Sequence, residues 1–313
     1  MTMQHLEGLI AAPFTPMKAD GSLNPDLIPA YYEMLKANQV TGAFICGSTG
    51  EGVSMTTKEK MSVASAWAAT TRHDKDFKVI TLLGGTSLED CRELALHARD
   101  QGLYAVAFTA PFYFKPADVN MLARACEYVA AAVPDMPFYY YHIPVLTGVG
   151  FPMIDLLKAI DGRIGNFAGV KYTHEDFMDF LSCMSFRNGH YDMLWGRDEN
   201  MLSALVLGAR GAVGSTFNYA APLYRALIQA FDQGKLETAR RLQQQSIDMI
   251  RLLGKYGGIA TGKAYMKLIG INCGEFRLPV KNMTADDFTR FRKEVEQLNF
   301  SSFSSRLPVI DKA

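Results

Sequence analysis

Short apolar runs alternate with longer amphipathic ones along most of the chain. Eight runs read as strands buried on both faces: 8–14 (GLIAAPF), 42–46 (GAFIC), 78–83 (KVITLL), 105–109 (AVAFT), 138–141 (FYYY), 167–171 (FAGVK), 192–195 (DMLW) and 211–215 (GAVGS). Between them lie Asp26–Asn38, Lys58–Thr71, Leu88–Gln101, Asn120–Val133, Met153–Ile160, Phe177–Phe186 and Glu199–Leu207. Each repeats apolar residues at three- and four-residue spacing, the period of a helix with one buried face. This alternation predicts parallel βαβ units and an α/β fold, a (β/α)8 TIM barrel, with a doubly wound open sheet as the alternative. After the eighth strand the alternation stops. Helical patterns near 235–254, 261–270 and 284–298, broken by KYGGIATG and by the Pro279 region, predict a C-terminal three-helix extension. No low-complexity linker intervenes, so we expect residues 1–233 to form the barrel and 234–313 to pack on it.

Composition narrows the function. The chain has 313 residues, 49% of them hydrophobic, enough for a large core. Its 32 basic and 32 acidic residues cancel, so no net field draws it to nucleic acid or to an anionic membrane. The start, MTMQHLEGLIAAPFTP, lacks a basic n-region and a long apolar run, and no apolar stretch would span a bilayer. Cys46, Cys91, Cys126, Cys183 and Cys273 are odd in number and scattered, without a C-x-x-C. That pattern predicts reduced thiols and a cytoplasmic protein.

In a closed barrel the active site lies where the strands end. Lys171 ends the sixth strand. In a desolvated site its pKa would fall, and the neutral amine could attack a carbonyl to form a Schiff base. The plainer alternative is a surface lysine paired with Glu175 or Asp176. GSTGEG, residues 47–52, offers successive backbone N–H groups that can hold a carboxylate, although an ordinary glycine-rich turn has the same composition. Tyr141 ends the fifth strand, where a phenol could relay a proton or simply pack. The run His174–Asp176 reads better as a helix start, with Thr173 and Asp176 in a capping-box variant, than as a metal site. No histidine pair has ligand spacing, so no metal is expected.

Four segments together carry a resemblance: GSTGEG after strand two, YYYHIP at strand five, GVKYT at strand six and GSTFN at strand eight. From about Leu6 to about Phe303 the chain resembles the pyruvate-dependent class I aldolases, the family that groups N-acetylneuraminate lyase with dihydrodipicolinate synthase. The resemblance implies Lys171 as the Schiff-base lysine, Tyr141 as the proton shuttle, and Ser48 and Thr49 as holders of the pyruvate carboxylate. Tyr113 would sit at a subunit contact near the site, with Phe112 as the rival ring. It further implies a homotetramer, no cofactor beyond the lysine imine, and a keto-sugar acid and pyruvate as partners.

Within the family, the resemblance favours the sialic acid branch. Leu146 stands where dihydrodipicolinate synthases carry an arginine, and Thr173, Gly196, Asp198, Glu199 and Ser215 match positions that bind the sugar chain. The expected reaction is reversible cleavage of N-acetylneuraminate to N-acetylmannosamine and pyruvate. An aldolase or dehydratase for a 2-keto-3-deoxy sugar acid is the nearest alternative, dihydrodipicolinate synthase a more distant one. A keto-acid-binding barrel without catalysis would belong to another class. Arg197 departs from the sialic acid pattern.

Overall fold

The computed structural model describes residues 5–308. Eight parallel strands close in sequence order: β1 Gly8–Ala11, β2 Gly42–Ile45, β3 Lys78–Leu82, β4 Ala105–Thr109, β5 Phe138–His142, β6 Phe167–Tyr172, β7 Asp192–Trp195 and β8 Gly211–Gly214. Pairing of β1 with β8 along Gly8–Ala11 rules out an open sheet. The first strand is shorter than the pattern predicts. Ala12 still donates to Gly214 O (2.9 Å), but Pro13 has no N–H to continue the ladder.

The ladder is uneven around the ring. β5 and β6 pair at five positions, whereas β7 and β8 share only Trp195 and Ala212.

Helices α1 Ile28–Ala37, α2 Thr57–Thr71, α3 Leu88–Asp100, α4 Val119–Ala130, a single turn α5 Pro144–Thr147, α6 Met153–Ile160, α7 Phe177–Ser185, α8 Met201–Val206 and α9 Phe217–Asp232 surround the strands. Two apolar clusters follow from strand alternation. The larger lies between strands and helices and takes Tyr140 and Trp195. The smaller fills the barrel interior and takes Phe44, Tyr139, Tyr141 and Leu194. Both Tyr139 and Tyr140 are thus core residues, on opposite faces of β5.

Three further α-helices follow: α10 Leu236–Lys255, α11 Ala260–Leu268 and α12 Ala285–Gln297. The start of α7 corrects an expectation. Asp176, not Thr173, is the cap, accepting from Asp179 N at 3.0 Å. Thr173 is therefore free to face the strand ends.

Candidate active site

Lys171 is 4% exposed. Its Nζ lies 3.9 Å from the centre of the Phe44 ring and 4.0 Å from that of Tyr141, and among the described residues it makes no ion pair. Burial pulls its pKa down to about 7, against the opposing field of Asp198. Near neutrality a substantial fraction of this amine is therefore uncharged. The surface-lysine alternative fails: Glu175 pairs with Arg197 at 2.9 Å, and Asp176 caps α7.

Tyr141 is buried beside Phe44, ring centres 5.4 Å apart and nearly perpendicular. Burial raises its pKa, while the hydroxyls of Ser48 and Thr173 pull it back down. Thr173 Oγ1 itself is buried without a hydrogen bond of good geometry, so it retains bonding capacity at the site. Its position requires glycine at 196, because a Cβ there would stand 1.9 Å from that oxygen.

Asp198 opens a 3-10 turn after β7 and is buried. Its Oδ2 accepts from Thr216 N (2.8 Å) and Thr216 Oγ1 (2.7 Å). A Cβ on Gly214 would come within 2.2 Å of Oδ1, so β8 needs glycine where this carboxylate crosses it. Burial pushes Asp198 up to about 7; Glu199 adds to this, and the Thr216 hydrogen bonds and Lys171 oppose it. Gln243 of α10 braces the turn, donating to Asp198 O (3.2 Å) and accepting from Leu202 N (2.8 Å).

Glu199 is half-buried, and its Oε1 lies 3.4 Å from the Arg197 guanidinium. Arg197 thus bridges Glu175 and Glu199. Ser215 is half-buried just beyond β8.

The Gly47–Gly52 loop is folded by Glu51 N donating to Ser48 O (3.2 Å), Gly52 N to Gly47 O (3.1 Å) and Thr15 Oγ1 to Gly50 O (2.6 Å). Thr49 is buried and Ser48 half-buried. Among the described residues, the N–H groups of Ser48 and Thr49 have no protein acceptor.

Lys171, Tyr141, Ser48, Thr173, Gly196 and Asp198 therefore converge at the strand ends, with Thr49, Glu199 and Ser215 on the adjoining segments. Tyr113 does not join them. It is 80% exposed on the loop after β4, against an equally exposed Phe114.

Sequence reasoning missed several contributors. Phe44, one of the two rings against Lys171, reads as an ordinary core residue. Thr216 sits unremarked inside GSTFN, and Glu51 inside GSTGEG. The acid in an otherwise small-residue loop was the available signal for Glu51.

A (β/α)8 barrel with a desolvated amine among hydroxyls at its mouth is the architecture of a barrel enzyme. Residues 5–298 match the dihydrodipicolinate synthetase family, and the chain belongs to that family. It is 39% identical to the N-acetylneuraminate lyase of Rattus norvegicus over 95% of this chain and 94% of that protein. It is also 39% identical to the N-acetylneuraminate lyase of Homo sapiens, over 96% and 94%. The solved N-acetylneuraminate lyase of Proteus mirabilis superposes with a TM-score of 0.92 at 38% identity, over 95% of this chain and all of that one.

Proposed function

We propose that the protein is a class I aldolase that reversibly cleaves N-acetylneuraminate to N-acetylmannosamine and pyruvate, using Lys171 as its only covalent catalyst. The observation that carries this is the buried, unpaired Lys171 amine, with its pKa drawn down to about 7, against the Tyr141 ring. The likeness to N-acetylneuraminate lyases over nearly the whole chain supports the substrate.

Each step of this reading has an agent in the site. The substrate carboxylate takes the free N–H groups of Ser48 and Thr49, with the Thr49 hydroxyl. Neutral Lys171 attacks the C2 carbonyl of the open-chain sugar. Tyr141, protonated at rest because burial raises its pKa, gives its proton to the departing C2 hydroxyl, which leaves as water. The Ser48 and Thr173 hydroxyls stabilise the resulting phenolate. That phenolate takes the C4 hydroxyl proton as the C3–C4 electrons move into the iminium, which releases the aldehyde and leaves an enamine. Protonation at C3 and attack by water then free pyruvate and the lysine. Asp198 and Glu199, after β7, and Ser215, after β8, would with Thr173 bind the sugar hydroxyls.

One observation favours a second reading. Arg197 engages Glu199, which reduces that carboxylate's capacity for a long polyol and suits a shorter 2-keto-3-deoxy sugar acid.

Two measurements test the proposal. Borohydride with pyruvate should leave a reduced adduct on a peptide containing Lys171; an adduct on Lys263 or Lys267 instead would overturn the assignment. A panel of keto-sugar acids should release pyruvate fastest from N-acetylneuraminate, and a preference for short keto acids would move the protein to the second reading. We further propose that the Tyr113–Phe114 face is covered in a homo-oligomer.

A further inference from the structure

The Glu51 side chain of the carboxylate loop points to the C-terminal extension. The residue adopts the left-handed region, φ +58° and ψ 28°, which a residue with a long side chain seldom holds unaided. Both carboxylate oxygens are taken by the C-terminal extension. Lys263 Nζ of α11 donates to Oε1 at 2.6 Å, and Arg277 N donates to Oε2 at 2.8 Å.

The Lys263–Glu51 pair is almost wholly buried, with side-chain exposures of 3% and 2%. Lys263 also donates to Glu275 O at 2.9 Å, so its position is fixed from two directions. The same segment grips the far side of the loop. The Arg277 guanidinium donates to Ser54 O (3.1 Å), to Gly21 O (2.9 Å) and to Glu59, which closes the capping box of α2. The loop therefore lies between the barrel, which holds Gly50 through Thr15, and the extension, which holds Glu51.

We propose that Lys263 and Glu51 form a positioning pair through which the C-terminal extension sets the geometry of the Ser48–Thr49 backbone, and hence the affinity for the keto-acid carboxylate. The inference rests on the proposed aldolase reading. Neither residue reaches the reacting atoms. Glu51 N is tied to Ser48 O, so any rotation at Glu51 turns the two free N–H groups beside it. A bound carboxylate would feel that rotation before the chemistry on Lys171 did. The consequence is a defect in affinity, separable from a defect in turnover.

The test is borohydride trapping across pyruvate concentrations, with kcat and KM for cleavage measured on the same proteins. Wild type must first trap pyruvate on Lys171. If it does not, the aldolase reading falls and this inference falls with it. Given trapping, K263M should raise the half-saturating pyruvate concentration and the KM about tenfold, with kcat within about threefold. K263R, which keeps the charge, should remain near wild type. Y139F, at the opposite mouth of the barrel, should lose stability with half-saturation unchanged and so controls for general destabilisation.

The double variant E51Q/K263M removes both buried charges and should recover stability lost in K263M. If the pair positions the loop, its half-saturation stays raised. If the pair only stabilises the fold, half-saturation returns with stability, and the proposal is overturned. Unchanged half-saturation in K263M also overturns it. Should K263M fail to fold, the double variant and K263R give the same decision.

Discussion

Two buried carboxylates lie at opposite mouths of the barrel, on either side of β7. Asp192, at the strand starts, accepts from Tyr139 Oη at 2.8 Å and from Leu6 N at 3.1 Å, and burial pushes it up to about 6. Asp198, at the strand ends, is pushed to about 7. Each has a β5 tyrosine near it, Tyr139 below and Tyr141 above. The difference lies in what is left unmet. At the base, the tyrosine and a backbone N–H bind the carboxylate and close the barrel. At the mouth, among the described residues, a lysine has no ion partner, Thr173 Oγ1 has no hydrogen bond of good geometry, and two loop N–H groups have no acceptor. A perturbed pKa alone does not mark a site; unspent bonding capacity beside it does.

The tyrosines give the largest expected contrast. Tyr141→Phe should reach the wild-type extent of imine trapping more slowly and lose about 10²–10⁴-fold in cleavage rate, the usual worth of a positioned acid–base group. Tyr139→Phe should leave the rate near wild type and instead cost about 1–3 kcal/mol of stability, because Asp192 loses a hydrogen bond while buried. Equal rates for the two variants would erase the distinction between the mouths.

A smaller effect is expected at the sugar end. Glu199→Gln should lower kcat/KM for N-acetylneuraminate about tenfold relative to a short keto acid, the worth of one hydrogen bond to a charged acceptor. Pyruvate trapping should stay unchanged. A constant ratio between long and short substrates would show that Glu199 serves only Arg197.

The smallest effect is a pH dependence at the base. Folded Asp192, at about 6, holds its proton more tightly than an unfolded aspartate at about 4. The folded state thus binds the extra proton between these values, and this residue's contribution to stability falls as pH rises from about 4 to about 6. Thermal melts of Asp192→Asn should lack that component of the slope, with activity intact.

The fold was largely legible because its signal is periodic. All eight strands and the three extension helices match the pattern; the errors fall at element ends and at two helices the pattern did not name, α5 and α9. Strand one stops at Pro13, and the cap of α7 falls on Asp176. The candidate site was legible where chemistry and strand ends coincide, at Lys171, Tyr141 and Asp198. It was illegible where residues meet across the fold. Nothing local says that Lys263 reaches Glu51, that Phe44 lies against the lysine, or that Gly196 makes room for Thr173. Arg197 shows the reverse: its departure from the pattern was visible, but its two acidic partners were not. Tyr113 was named for a contact that a single chain does not contain.

The sparse pairing of β7 with β8 gives Asp198 a second office. With Trp195 and Ala212 as the one paired position, the two bonds from Thr216 to Asp198 act as a clasp across the thinnest join in the ring. The residue assigned to substrate choice is also a fastener. Drift at this position would trade selectivity against barrel closure, whereas Glu199, whose ion pair with Arg197 crosses no strand join, is freer to vary. New specificities in this scaffold would therefore be reached more readily through Glu199 and Arg197 than through the aspartate between them.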